Sequence, residues 1–345
     1  MDFSQKVYLS FLLHAQLLMH LAQSVPISSC QKDEKCTRLV RCSPLMNILK
    51  PRGMTQAEKD VFAHRQCGLG PNGRELLHRV YVCCPELGDV LPNNQTCGRT
   101  TSVLRSPGAE NIEINEYPWM GVLLYENRLS FTRYVLTAAH CVTGGYLTRN
   151  DLVVKSVRLG EHNTSSNPEC GGHSCAPQHL QVEVEQVAVH QGFFSSGGTY
   201  HYDIALLRLR FPVRYTKRIQ PICLPDAGTH LLGLNLRIAG WNPTESSHPL
   251  ITSTIKERNP HYCSNTYPHF HAASQICAGG QRERDTCAGI SGSPLMGIMA
   301  RGLDQFAFLA GIASYGQQHC YAAGTPAVYT NTGHFLEWIR ANLAP

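Results

Sequence analysis

At 345 residues and 38.2 kDa the chain is long enough for more than one core, and 43% hydrophobic against 16% charged residues excludes a disordered or collagen-like polymer. A net charge of +5, with no long block of like charges, argues against a nucleic-acid tail. Fifteen cysteines, with no CxxC pair of the zinc or redox kind, argue against an ordinary cytosolic chain and for disulfides made in a secretory compartment; an odd count leaves at least one thiol over.

Residues 7–22 are apolar behind Lys6 and lead into Ala22-Gln23-Ser24, whose small residues suit signal peptidase. Residues 1–24 are therefore expected to be a signal peptide. The stretch is shorter than the roughly 20 apolar residues of a membrane span and carries His14, Gln16 and His20. A secreted, extracellular protein with no membrane anchor is expected. The sequons at Asn94 and Asn163 fit glycosylation on that route.

Six cysteines then crowd into residues 25–84, a segment too small to bury much core, so bridges have to staple it. A capping box at Thr55-Gln56-Ala57-Glu58 predicts a short helix through Arg65, and Arg79-Val80-Tyr81-Val82 predicts a strand ending at Cys83-Cys84. Between Cys30 and Cys84 there are ten Lys and Arg against five Asp and Glu, which fits a solvated surface better than a docking face for an acidic partner. Residues 85–105 are polar and turn-rich and read as an exposed linker interrupted by Cys97. Beyond it, short runs rich in Val, Ile and Leu, such as 152–159, 182–189 and 308–314, are spaced by turn residues. They predict an all-β barrel or sandwich domain over residues 106–345. Phe335, Leu336, Trp338, Ile339 and Leu343 recur at helical spacing and predict a C-terminal helix.

Three motifs carry chemistry: Leu136-Thr137-Ala138-Ala139-His140-Cys141, Asp203-Ile204-Ala205-Leu206-Leu207, and Gly289-Ile290-Ser291-Gly292-Ser293-Pro294-Leu295. In that order they resemble the His, Asp and Ser segments of chymotrypsin-like serine proteases. With the cysteine pattern of residues 30–84 in front, the chain resembles a clip-domain serine protease of invertebrate haemolymph. The resemblance implies a double β-barrel with a C-terminal helix behind a small disulfide-stapled clip domain. It casts Ser291 as nucleophile, His140 as base and Asp203 as the carboxylate holding the imidazole in one tautomer, with backbone N–H groups of Gly289 and Ser291 as the oxyanion hole. Six residues before the nucleophile, Asp285 would select Arg or Lys before the cut, between walls made by Ser314, Gly316 and Ala327. Trypsin-like members usually have Gly at the last of these positions, so Ala327 narrows the pocket.

The resemblance further implies the bridges Cys30–Cys83, Cys36–Cys67, Cys42–Cys84, Cys97–Cys223, Cys170–Cys175, Cys263–Cys277 and Cys287–Cys320, leaving Cys141 over. The Cys97–Cys223 bridge, from the linker, is expected to tether the two domains to each other. No cofactor is required. Glu161, Asn163, Ser166 and Glu169 resemble a calcium loop of some relatives, although two carboxylates are few for that ion. The implied activity is cleavage after Arg or Lys in another zymogen of an innate-immune or melanisation cascade. Partners would then be protein substrates, cascade proteases and serpin-type inhibitors, not nucleic acid or membrane.

Three departures support a rival, a non-catalytic homologue acting as binding cofactor or decoy. Cleavage at Arg105 would free Ser106 where the family frees Ile or Val, and Ile290 replaces the Asp that pairs with that new terminus. Ile290 is open to two outcomes, ordering the site without cleavage or leaving it collapsed as in a zymogen. Finally, residues 120–135 lack the family's Cys-containing strand and are several residues short, which a true deletion and an incomplete gene model would both produce. A missing strand would open the first barrel beside His140.

Overall fold

The computed structural model describes residues 30, 34–46, 65–69, 80–85, 97–99, 115–125, 134–165, 170–171, 174–175, 178–211, 213, 215–226, 228–241, 250–280, 291–301, 304–316 and 324–343. The chain divides into two units, Met1–Glu86 and Leu87–Pro345.

In the first unit, strands β1 (Glu34–Arg38), β2 (Gln66–Leu69) and β3 (Val80–Pro85) form an antiparallel sheet of order β1-β3-β2, with the expected strand as its centre. Leu39, Leu45 and Val82 are buried but make only a small core. The bridges Cys30–Cys83, Cys36–Cys67 and Cys42–Cys84 add what that core cannot, closing spans of 53, 31 and 42 residues. Loops of this length are each worth on the order of 3–4 kcal/mol in the chain-entropy account. Arg65 is buried, and its guanidinium donates to the Cys83 carbonyl at 3.0 Å. Lys35, Arg38 and Arg41 are exposed, as both a solvated face and a docking face would be. The rest of the helix expected over 55–65 lies outside the described residues, as does the expected signal peptide.

The second unit holds two larger sheets, one from each half of its chain. The first comprises β4 (Gly121–Tyr125), β5 (Tyr134–Thr137), β6 (Val154–Leu159), a long strand Leu180–Val189 and a strand Ala205–Leu209. Between β6 and the long strand lie the short pair β7 (Cys170–Gly171) and β8 (Ser174–Cys175), which sets Cys170 opposite Cys175. The long strand is therefore β9; the hairpin β10 (Phe194–Ser196) and β11 (Thr199–His201) follows, and Ala205–Leu209 is β12. In β9, Leu180, Val182 and Val184 are buried while Gln181 and Glu183 face outward, the period-two pattern of a half-buried strand. The sheet order is β4-β6-β9-β12-β5, so among the described strands it ends at β4 and β5, on either side of the shortened segment. β5 is thus an edge, and it leads directly to His140.

The second sheet has the order β14-β13-β16-β17-β18-β15, built from β13 (Asn235–Trp241), β14 (Leu250–Lys256), β15 (Gln275–Gly279), β16 (Pro294–Arg301), β17 (Asp304–Tyr315) and β18 (Pro326–Asn331). Ala138, Ile204, Leu206, Leu309 and Ile312 pack with Phe335 and Ile339, so the C-terminal helix Leu336–Ala341 seals the seam between the sheets behind the site.

Of the stretch expected to be an exposed linker beyond Pro85, residues 97–99 are described: Arg99 is exposed, but Cys97 and Gly98 are buried. Cys97 is fully buried against the apolar residues of the second sheet, and the Cys97–Cys223 bridge joins two residues of the same unit rather than the two units. Gly98 donates to the Pro221 carbonyl at 2.8 Å and accepts from Ala307 at 2.9 Å. A bridge and two backbone bonds outweigh the polar composition around them. Gly98 has φ +63°, and a Cβ there would fall 2.1 Å from the Ala307 oxygen. Gly98→Ala is expected to cost about 3 kcal/mol in strain and lost hydrogen bonds. Thermal unfolding should show this as a fall of about 6–12 °C. An unchanged Tm would mean the backbone yields there freely.

Candidate active site

The pairing of β5 with β12 builds half of the site. The strands are antiparallel, with Thr137 opposite Ala205. The chain leaving β5 reaches His140 three residues later, in the 3-10 turn Ala139–Cys141, and the chain entering β12 passes Asp203 two residues earlier. The two side chains therefore meet across the end of one strand pair. Asp203 Oδ2 lies 2.7 Å from His140 Nδ1, and Oδ1 accepts the His140 backbone N–H at 2.9 Å.

Asp203 is 1% exposed, which calls for several donors around its charge. Ser314, near the end of β17, donates its hydroxyl to Oδ2 at 2.5 Å, and Thr330 donates to the Asp203 carbonyl at 2.8 Å. Tyr200 of β11 stacks on the imidazole with centroids 4.5 Å apart and planes within 4°. Burial acts to lower the His140 pKa. Hydrogen bonds to Asp203 and Cys141, with the charges of both, outweigh it and raise the pKa to about 10. Tyr200 is raised as well, by burial first and then by the Asp203 charge.

The other half of the site comes from the β16–β17 pair. Gly292 donates to the Ala313 carbonyl and Ala313 to the Ser293 carbonyl, both at 2.9 Å, which pins the turn carrying Ser291 to β17. Ser291 is exposed. Gly292 has φ +78°, and a Cβ there would fall 2.5 Å from Thr137 Oγ1 and 3.1 Å from Cys141 Sγ. Only glycine allows the Ser291 turn this close to the segment bearing His140. Among the described contacts, His140 Nε2 meets Cys141 Sγ at 3.7 Å and not the Ser291 hydroxyl.

Of the expected pocket residues, Gly316 and Ala327 face one another, with the Ala327 Cβ 3.2 Å from where a Cβ on Gly316 would stand. Ser314, expected as a wall, also holds Asp203. Nothing in the motif around Ser314 announces that hydrogen bond, and Tyr200, three residues before Asp203, gave no signal beyond its closeness in sequence. Cys263–Cys277 is bridged, and Cys141 remains a thiol. Asp285, Gly289, Ile290, Cys287, Cys320, Arg105, Ser106 and Asn94 lie outside the described residues.

In the expected calcium loop, Glu161 is paired with Arg158 at 3.3 Å and His179 at 3.1 Å. Asn163 Oδ1 accepts from the Ser165 backbone and hydroxyl. Both are already engaged with cations or donors of the chain, which does not suit a calcium ion; Ser166 and Glu169 lie outside the described residues. Among the described residues no helix is long and apolar enough to cross a membrane.

Comparison with known proteins agrees with this geometry. The family model for trypsin matches residues 107–339, and that for the regulatory CLIP domain of proteinases matches residues 30–84. The Spaetzle-processing enzyme of Drosophila melanogaster is 35% identical over 95% of this chain and 95% of its own. Serine protease ea of the same fly is 33% identical over 88% and 87%. A solved Drosophila Grass clip serine protease of the Toll pathway superposes with a TM-score of 0.60 at 26% identity, covering 90% of this chain and 96% of its own.

Proposed function

The chain belongs to the trypsin family of serine proteases with an N-terminal CLIP domain, and from that premise we propose that it is a secreted endopeptidase cleaving after Arg or Lys in a protein of an extracellular protease cascade. The observation that carries this reading is the imidazole of His140, fixed through Nδ1 by a buried Asp203 that Ser314 also holds, beside the turn that presents Ser291. Ser291 attacks the scissile carbonyl, His140 takes its proton at Nε2, and Asp203 stabilises the imidazolium that forms. Backbone N–H groups of Gly289 and Ser291 receive the developing oxyanion, and Asp285 receives the substrate cation between Ser314, Gly316 and Ala327. The printed names of two similar proteins, a Spaetzle-processing enzyme and a clip serine protease of the Toll pathway, support protein zymogens and the protease that cuts at Arg105 as this chain's partners, with serpin-type inhibitors proposed beside them.

A second reading has its own observation: Nε2 faces Cys141 Sγ at 3.7 Å, the geometry of a site not poised for Ser291. On that reading the chain is a binding cofactor or decoy. Covalent labelling with a fluorophosphonate separates the two, before and after cleavage at Arg105. The protease reading expects labelling that vanishes in Ser291→Ala. Folded protein that takes no label in either form makes the chain a binding cofactor.

A further inference from the structure

Tyr202, the residue before Asp203, has φ +48°, in the left-handed region that a bulky side chain rarely enters. Its carbonyl accepts from the Ile204 N–H at 2.9 Å, which closes a three-residue turn with Asp203 at its centre. A backbone of this kind persists only where its surroundings over-determine it. The Tyr202 ring lies flat on the His190 imidazole, with centroids 5.0 Å apart and planes within 8°, and meets Phe335 edge-on at 5.9 Å. His190, which follows β9, is itself fixed: its N–H donates to the Ile204 carbonyl at 3.1 Å, and its Nδ1 accepts from the Gly192 N–H at 3.0 Å. Gly192 passes so close that a Cβ on it would fall 3.1 Å from Tyr202 Cδ2. The bonds of the Asp203 carboxylate to His140 and Ser314 do not themselves call for a strained tyrosine beside it.

We infer that Tyr202 is a positioning residue for the reaction: clamped on His190, its ring holds the strained turn that aims Asp203 at His140 Nδ1. The stack ties the turn to the end of β9, and Phe335 ties it to the start of the C-terminal helix, so the carboxylate is located by two elements outside its own strand. Without the ring, the backbone at Tyr202 leaves the left-handed region and the carboxylate drifts from the imidazole. The consequence for rate rests on Ser291 and His140 acting as proposed above; the hold on Asp203 does not.

The test compares the full chain with Tyr202→Gly and Tyr202→Phe by two signals. One is steady-state kinetics on an Arg ester; the other is the downfield proton resonance of His140 Nδ1, which reports its hydrogen bond to Asp203. Glycine accepts a positive φ more readily than tyrosine, so Tyr202→Gly removes the ring while easing the backbone. The expected result is a fall in kcat of about 10- to 100-fold with KM nearly unchanged, as a small misplacement of a catalytic group causes, together with loss of the resonance. Tyr202→Phe, the conservative variant that keeps the ring, should restore both. A ring that only fills space would lower Tm in Tyr202→Gly and leave kcat and the resonance in place, and that outcome overturns the inference. So does a resonance missing from wild type, or lost in Tyr202→Phe as well. Should Tyr202→Gly not fold, His190→Gln removes the other half of the stack and is read by the same signals. The resonance needs no turnover, so a wild type that fluorophosphonate cannot label sinks the protease reading while the resonance still decides this one.

Discussion

Asp203→Asn is expected to lower kcat by about four orders of magnitude while leaving substrate binding nearly unchanged. The carboxylate accepts from the His140 backbone N–H, from Nδ1 and from the Ser314 hydroxyl. An amide has one oxygen in place of two, so at least one of those donors then faces an N–H. The imidazole responds by turning or by presenting the other tautomer, and Nε2 loses the lone pair that takes the serine proton. Leaving a buried donor unsatisfied costs about 1–3 kcal/mol, so the variant should fold but melt lower. Steady-state kinetics on an Arg ester, with circular dichroism to show the fold, reads both effects. A loss in kcat of less than about tenfold would mean that Asp203 does not govern the imidazole.

The parts of this site that were legible in the sequence are those written in short contiguous segments. Thr137 and Ala205 face each other in the antiparallel register of β5 with β12, and each strand carries its functional residue just beyond its end. Reading Leu136 to Cys141 and Asp203 to Leu207 together therefore finds both halves of the His140–Asp203 pair. The burial of Cys97 and Gly98 was not legible, because Pro, Asn and Gly around them have the composition of a loop whether or not a disulfide draws the segment into the core. Ser314 was assigned a wall and not a hydrogen bond, since its partner lies 111 residues away. Cys141 was recognised as the odd thiol, but the direction of its sulfur depends on the turn after β5, which residue types alone do not specify. Among the described strands the first sheet ends at β4 and β5, and the segment between them, where the family's Cys-containing strand was expected to be lost, lies outside the described residues.

The pH dependence should carry the mark of Cys141. The groups facing the imidazole are Asp203 at the start of β12, Cys141 in its own turn and Tyr200 of β11, with Ser314 of β17 acting through Asp203. An unfolded imidazole titrates near 6.5, and in the fold the pKa is raised to about 10. The folded chain binds that proton more tightly, so the stabilisation is fully present below pH 6.5 and is lost as pH rises through 10. It amounts to at most about 5 kcal/mol, and Tm should fall by up to about 10–20 °C between pH 6.5 and 10. Asp203→Asn should lack most of that fall. Activity should run the opposite way, since His140 is a base only when neutral: kcat/KM should keep rising past neutrality towards pH 10. In Cys141→Ala the hydrogen bond and electrostatic influence of Cys141, both of which raise the His140 pKa, are gone, and the rise should move to lower pH. Each unit of that movement gives about tenfold more activity at pH 7. The same substitution frees Nε2 to face Ser291, which adds to the gain. If wild type and Cys141→Ala give the same profile with a plateau near neutrality, the thiol does not bear on the base, and the contact between Sγ and Nε2 is packing alone.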